Sequence, residues 1–397
     1  MKKISLQIFA FFISILSVWG QENTESNESN YEKRNLKIEE VNILGSYYTQ
    51  DGNNSGVTGG IGTEKLTDFS SSIDIKMVKP TAKGNKHLFG VNVGVDYYTS
   101  ASSDNIDPLL VTSPSYSDTR VYPTLSYAFE NTNNNSVIGG NVSFSSEFDY
   151  ISRGGQLNYS KAFNKKQTEW VAKLNLFFDE LQEIKPYELR DSGKTRNYQT
   201  KTRNTFNLSN AIHQTINSRI QMALILDIAY QNGYLSTPFN RFYTKGASAA
   251  VLEVLPDSRI KVPVGLRGNI FLSDKFILRN FYRFYWDDWG VVSNTFQTEL
   301  NAKVNNTFTL SPSVRLYQQT GSKYFHEKNE LTQLADFRTS DFDLSNFQSI
   351  FAGLGLKIQP KNGIISPLFH SIELKYGYYA RTNGLNAHLV SANIKIK

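Results

Sequence analysis

The chain has no cysteine among its 397 residues, which excludes a disulfide framework and any thiolate metal centre. Beyond its first twenty residues it has no run of eighteen or more apolar residues, and its mean hydropathy is negative, so no helix is expected to cross a membrane. Charge of one sign is scarce as well. The 42 Lys and Arg stand against 36 Asp and Glu, a net of +6 that is too small and too dispersed to suit a nucleic-acid partner. The five histidines (His87, His213, His326, His370 and His388) show neither His-x-His nor His-Glu-x-x-His spacing. A Gly-x-Ser-x-Gly elbow and a phosphate-cradling glycine loop are both missing. No enzyme, catalytic residue, cofactor or metal site is therefore expected.

What is present begins with an export signal. Lys2 and Lys3 precede a mostly apolar stretch over residues 4–19, and Val18-Trp19-Gly20 leads into the polar Gln21-Glu22-Asn23. That order predicts a cleaved secretory signal over residues 1–20. No cysteine follows it, so a lipoprotein anchor at this junction is excluded. Removing the signal takes two lysines and no acid, leaving 40 cations against 36 anions. Residues 21–40 are polar and aperiodic and read as a flexible periplasmic leader.

From Val41 to the end the dominant signal is alternation. Tyr and Phe are abundant, at 22 and 26, and they recur with Val, Leu and Ile at every second position. Phe89, Val91, Val93, Val95 and Tyr97 interleave with Gly90, Asn92, Gly94 and Asp96. Met222, Leu224, Leu226, Ile228 and Tyr230 face away from Gln221, Asp227 and Gln231. Such period-two runs recur along the chain without a sustained helical stripe, so the fold class is all-β. About sixteen strands are predicted, within a range of about 14–18, the first near residue 40 and the last near residue 387.

Loop length sorts by strand parity. Connections after odd strands include long ones, at 50–67, 100–117, 181–200, 233–258 and 321–341; those after even strands are mostly short, as at 131–135, 216–218, 273–275 and 305–306. A soluble sandwich has no reason to sort its loops this way. A closed antiparallel transmembrane barrel does, with tight periplasmic turns and extended extracellular loops, so residues 41–397 are read as one outer-membrane barrel. Rings placed near both strand ends suit girdles at the two lipid interfaces: Tyr97, Trp170, Phe178, Phe276, Trp286, Phe369 and Tyr379 are the candidates.

Parity also sorts charge. From residue 259 to 319 the odd, inward-reading positions include Arg259, Lys261, Arg267, Arg279, Arg283, Lys303 and Arg315, sharing their face with Asp287 and Glu299. Such a wall lowers the barrier to anions, or else it is a paired network that only stiffens the barrel. The run Tyr285-Trp286-Asp287-Asp288-Trp289-Gly290 reads as a tight outer turn, with a cation site or a hold on Arg283 as the competing use of its carboxylates.

Several runs resemble the barrel family known as domain of unknown function 3570. They are Tyr122-Pro123-Thr124-Leu125-Ser126-Tyr127, Pro238-Phe239-Asn240-Arg241-Phe242-Tyr243, Leu255-Pro256-Asp257-Ser258-Arg259, Phe281 through Gly290, and Pro312 through Gln319. The resemblance implies an outer-membrane barrel of a diderm bacterium and brings no substrate or catalytic residue. The expected function is a channel for passage or uptake of small hydrophilic solutes, with an anion preference from the basic wall. The alternatives are a structural or partner-binding barrel whose lumen is plugged by loops such as 233–258, and a barrel enzyme. The expected partners are the lipid bilayer, the barrel-assembly machinery and a small solute.

Overall fold

Every second side chain of an extended strand points to the same face, so a strand with one apolar and one polar row must bury or solvate each row separately. Here the apolar rows turn outward. In the computed structural model, which describes residues 35–99, 106, 117–190 and 199–397, Val142 and Leu157 are each 64% exposed, and Leu224, Leu226 and Ile228 stand in one exposed row. Leaving such side chains in water costs about 1.5–3 kcal/mol each, so rows of them call for a lipid surrounding.

The strands are β1 (Lys37–Asp51), β2 (Leu66–Pro80), β3 (Lys86–Thr99), β4 (Ser117–Asn131), β5 (Ser136–Ser146), β6 (Tyr150–Phe163), β7 (Thr168–Gln182), β8 (Thr200–Thr215) and β9 (Ile220–Gly233). Two short pieces follow, β10 (Arg241–Phe242) and β11 (Val251–Leu252). The series resumes with β12 (Ser258–Phe271), β13 (Phe276–Asp287), β14 (Val292–Lys303), β15 (Phe308–Gln319), β16 (Phe347–Ile358), β17 (Phe369–Arg381) and β18 (Asn386–Ile396). All but β10 and β11 form one closed antiparallel barrel of sixteen strands, in which β1 pairs with β18 from Val41 opposite Ile396 to Asp51 opposite Asn386. Closure leaves no open edge, as hydrocarbon requires. Pro123 and Pro263 have no N–H to give, and the ladders to β5 and β9 skip at these points.

Loop lengths follow the predicted parity. At one rim the connections are 81–85, 132–135, 164–167, 216–219, 272–275, 304–307 and 359–368; the other rim carries 52–65, 234–257 and 320–346 along with the tight turns 147–149, 288–291 and 382–385. Two boundaries differ from the sequence reading. Lys37–Glu40, assigned to the leader, already belong to β1, where Glu40 is held by Lys76 at 3.1 Å and by Lys395. The strand expected after loop 321–341 starts at Phe347, because Asp341 caps a 3-10 turn over Phe342–Leu344 by accepting from the Asp343 N–H. The signal and most of the leader lie outside the described residues.

Candidate lumen wall and outer loop cap

Two structures meet inside the long-loop rim: the basic wall of β12–β15 and a folded knot of loops above it. On the wall, the exposed apolar row comprises even positions such as Ile260, Leu266, Tyr282, Phe284, Phe296 and Leu316, so the odd-numbered cations stand on the opposite face. Two of them meet carboxylates. Arg259 donates to Asp287, which is 0% exposed and also accepts from the Tyr285 hydroxyl at 2.7 Å and the Val291 N–H at 3.0 Å. Arg279 donates to Glu299 at 3.1 Å. Among the described residues Lys261, Arg267, Arg283, Lys303 and Arg315 have no carboxylate partner. The wall is thus partly neutralised rather than fully paired.

The turn after β13 resolves its two uses. Asp287 holds Arg259 and not Arg283, and Asp288 accepts from the Ile260 N–H at 3.0 Å. Trp289 lies 3% exposed beneath the Arg259 guanidinium, 4.3 Å from its ring centroid, and Gly290 takes φ 91°. A carboxylate so enclosed is a structural anchor.

Two arginines of the wall lie on rings that are themselves pressed onto glycines. Arg315 sits 5.1 Å over Phe351, whose ring occupies the space a Cβ would fill at Gly377 and crowds the one at Gly353, the residue opposite it on β16. Arg267 sits 5.8 Å over Phe281, which rests against Gly265. Across the barrel Arg120 repeats the arrangement over Tyr122 and Gly94. Sequence reasoning missed all three, because Gly377, Gly265 and Gly94 each lie on the strand next to their ring.

The rings expected at the lipid interfaces divide. Tyr97, Trp170, Phe178, Phe276 and Trp286 are exposed on the apolar face. Tyr379 is not among them: it lies on the other face, where it accepts from Arg381 at 2.8 Å, and its neighbour Tyr378 takes the exposed position. Phe369 is half-buried beside a register shift between Phe369 and Ser371, where strand parity slips by one.

The cap is the apolar core that the barrel wall lacks. Val57, Ile106 and Ile184 pack together with Phe239, drawn from four different loops. Arg241 lies at its centre, donating to the Val57 carbonyl and to Glu188, both at 2.6 Å, while its own carbonyl accepts from Ser340 at 2.7 Å. Beside it the buried Glu253 accepts from the Thr237 N–H at 2.6 Å, Asn240 at 3.1 Å and Thr339 at 2.5 Å. Burial pushes the Glu253 carboxyl above the usual carboxylate range even against those three donors. At Glu188 burial also raises the value, but the Arg241 guanidinium outweighs it and holds the group below normal. A bridge between Val254 and Arg338 ties loop 234–257 to loop 320–346, and one between Phe325 and Thr339 folds loop 320–346 onto itself. The run from Pro238 to Tyr243, which carried part of the family resemblance, is the centre of this cap.

The histidines do not converge on a reacting group. His87 bonds Tyr127 at 2.9 Å, His388 bonds Tyr376 at 2.9 Å and His370 bonds Gln359 at 2.8 Å. Among the described residues no three His, Asp or Glu side chains gather as a metal site.

Solved structures similar to this one are barrels. A bacterial polysaccharide outer membrane secretin aligns with a TM-score of 0.47 at 10% identity, over 90% of this chain and 98% of that one. A mutant of the ferric enterobactin receptor PfeA from Pseudomonas aeruginosa gives 0.47 at 10%, over 86% of this chain but 53% of the receptor. A mutant of the monoaromatic hydrocarbon channel TodX gives 0.41 at 9%, over 90% and 89%. No curated protein matches the sequence. The family model described as "Protein of unknown function (DUF3570)" matches residues 10–394, nearly the whole chain, and the protein belongs to that family.

Proposed function

We propose that this barrel is a passage channel of the outer membrane for small hydrophilic solutes, with a preference for anions and with its outer mouth covered by the loop cap. The observation that carries the reading is the imbalance of the β12–β15 wall. Among the described residues five cations there form no ion pair with a carboxylate, whereas two arginines do. A network built only to stiffen the barrel would pair its charges, since an unmatched guanidinium adds no cross-strand bond. Unmatched cations along a water-filled wall lower the barrier to anions. In this reading the secretory signal delivers the chain across the inner membrane, the barrel-assembly machinery inserts it, and the long loops face outward.

Purified protein in a planar bilayer tests the proposal. A steady current whose reversal potential favours anions supports it. Replacing Arg279, Arg283 and Arg315 by Ala together should shift the reversal potential toward cation preference, and an unmoved potential would sink the basic wall as its cause. The cap favours a second reading, a closed scaffold, because buried bonds from four loops meet at Arg241 and Glu253. No current in the intact protein, and none after the cap is loosened, would select the scaffold.

A further inference from the structure

We propose that the interior of this barrel carries a binding subsite for a small organic carboxylate with a planar apolar body, on β13–β17 directly beneath loop 320–346. The proposal rests on the passage reading and names what the passage would hold. Cross-strand register puts Arg283, Thr295, Tyr317, Ser349 and Arg381 opposite one another in a single rung across five strands. Arg315 and Phe351 are neighbours in the next rung on the same face. The five residues of the rung and Arg315 line a cavity of about 400 Å³, within the size range of small-molecule sites.

The charges in this cavity are unequal in their commitments. Arg381 is taken, bonded to Asp343 of the loop at 2.5 Å and to Tyr379 at 2.8 Å. That pair forms the roof. Arg283 and Arg315 are exposed to the interior and have neither a hydrogen bond nor an ion pair among the described residues. Thr295, only 5% exposed, lines the same cavity with a buried hydroxyl oxygen that lacks any partner. Buried polar atoms are nearly always satisfied, so an unpartnered hydroxyl beside two unengaged guanidiniums marks a place for an acceptor. A carboxylate offers that acceptor to all three groups and suits the planar fork of a guanidinium.

The rest of the lining defines the body of the solute. Phe281, Tyr317 and Phe347 line the cavity, and Arg315 is held at its edge on Phe351 by cation–π contact. The Gly353–Gly377 pair lets Phe351 lie against the wall instead of filling the space. An inorganic anion would leave these rings unused, and a neutral aromatic would leave the guanidiniums unmet.

Ligand-observed NMR titration of the full chain in detergent tests this with benzoate, benzamide and inorganic phosphate as probes. Benzoate should bind at least about tenfold more tightly than either of the others, a factor that corresponds to one good charge-assisted bond. Equal binding of benzoate and benzamide overturns the carboxylate; equal binding of phosphate and benzoate overturns the apolar body. Arg283→Gln and Arg315→Gln should each weaken benzoate by about tenfold, while Lys173→Gln, an interior cation on the opposite wall, should leave it unchanged. Equal losses in all three variants would mean diffuse attraction and would overturn the subsite. The comparison among probes uses the unaltered protein, so it stands even if a variant fails to fold. Benzoate binding without anion-selective current keeps the subsite and sinks the passage; current without benzoate binding does the reverse.

Discussion

Arg241 donates at 2.6 Å to the carbonyl of Val57, a residue 184 positions earlier in the chain, and so ties loop 52–65 to loop 234–257 across the mouth of the barrel. The same guanidinium reaches Glu188, which brings loop 183–199 to the same point. Its side chain is 6% exposed, so the Val57 carbonyl is left without a partner when the bond is lost, whereas Glu188, 51% exposed, regains water. Arg241→Ala should cost the cap about 1–3 kcal/mol, the usual penalty for leaving a buried carbonyl without its donor. Because the barrel ladder does not pass through Arg241, the barrel itself should stay folded. Faster protease cleavage within loop 234–257, with an unchanged unfolding temperature of the barrel, is the expected result. In a bilayer the same variant should conduct more than the unaltered protein if the cap limits flow.

The anchor of the β13–β14 turn makes a separate prediction about stability. Asp287 is wholly buried and takes Arg259, Tyr285 and the Val291 N–H at once. Asp287→Ala strands the Arg259 charge and should destabilise the barrel by about 3–5 kcal/mol. Asp287→Asn keeps the shape and part of the hydrogen bonding, and should cost less. The temperature at which the folded band disappears on a detergent gel measures both. An alanine variant as heat-stable as the parent would remove the anchor role.

Acidity should act on the cap through Asp341. Burial, with Asp343 and Glu253 as acidic neighbours, pushes its carboxyl from an ordinary 3.8 up to about 7. The folded cap therefore holds this proton more tightly than the unfolded loop does. The resulting stabilisation is complete below the ordinary value near 3.8 and is lost as pH rises through about 7. Glu253, also raised by burial, acts in the same direction. Protease resistance of the loops should be higher at acid pH than at alkaline pH, and Asp341→Asn should flatten that difference. The opposite slope would contradict the assignment.

Glu299 offers a test of the wall that frees a cation instead of removing one. It takes Arg279 at 3.1 Å and also accepts from Asn301 at 2.7 Å. Arg279 is 55% exposed, so the pair contributes at most about 1 kcal/mol to stability and can be broken at little cost. Glu299→Gln removes one carboxylate from the wall, and the reversal potential should move further toward anions. A shift toward cations would show that this face is not the one that ions sense.

The sequence alone determined the class of fold, because its signals are local. Alternation at every second residue in Met222–Tyr230, and loop length sorted by strand parity, both survive without knowledge of what each strand pairs with. The sixteen-strand barrel follows from them, as does the placement of Tyr97, Trp170, Phe178, Phe276 and Trp286 on the apolar face. Only the tertiary structure decided which charges are spoken for. Arg259 meets Asp287, and among the described residues Arg283 meets no carboxylate, because cross-strand register and side-chain reach set the partners, and neither is written in one strand. The same reason hid the seat of Phe351 on Gly377 and the bond from Arg241 to Val57: the first needs the pairing of two neighbouring strands, the second the folding of loops over the barrel mouth.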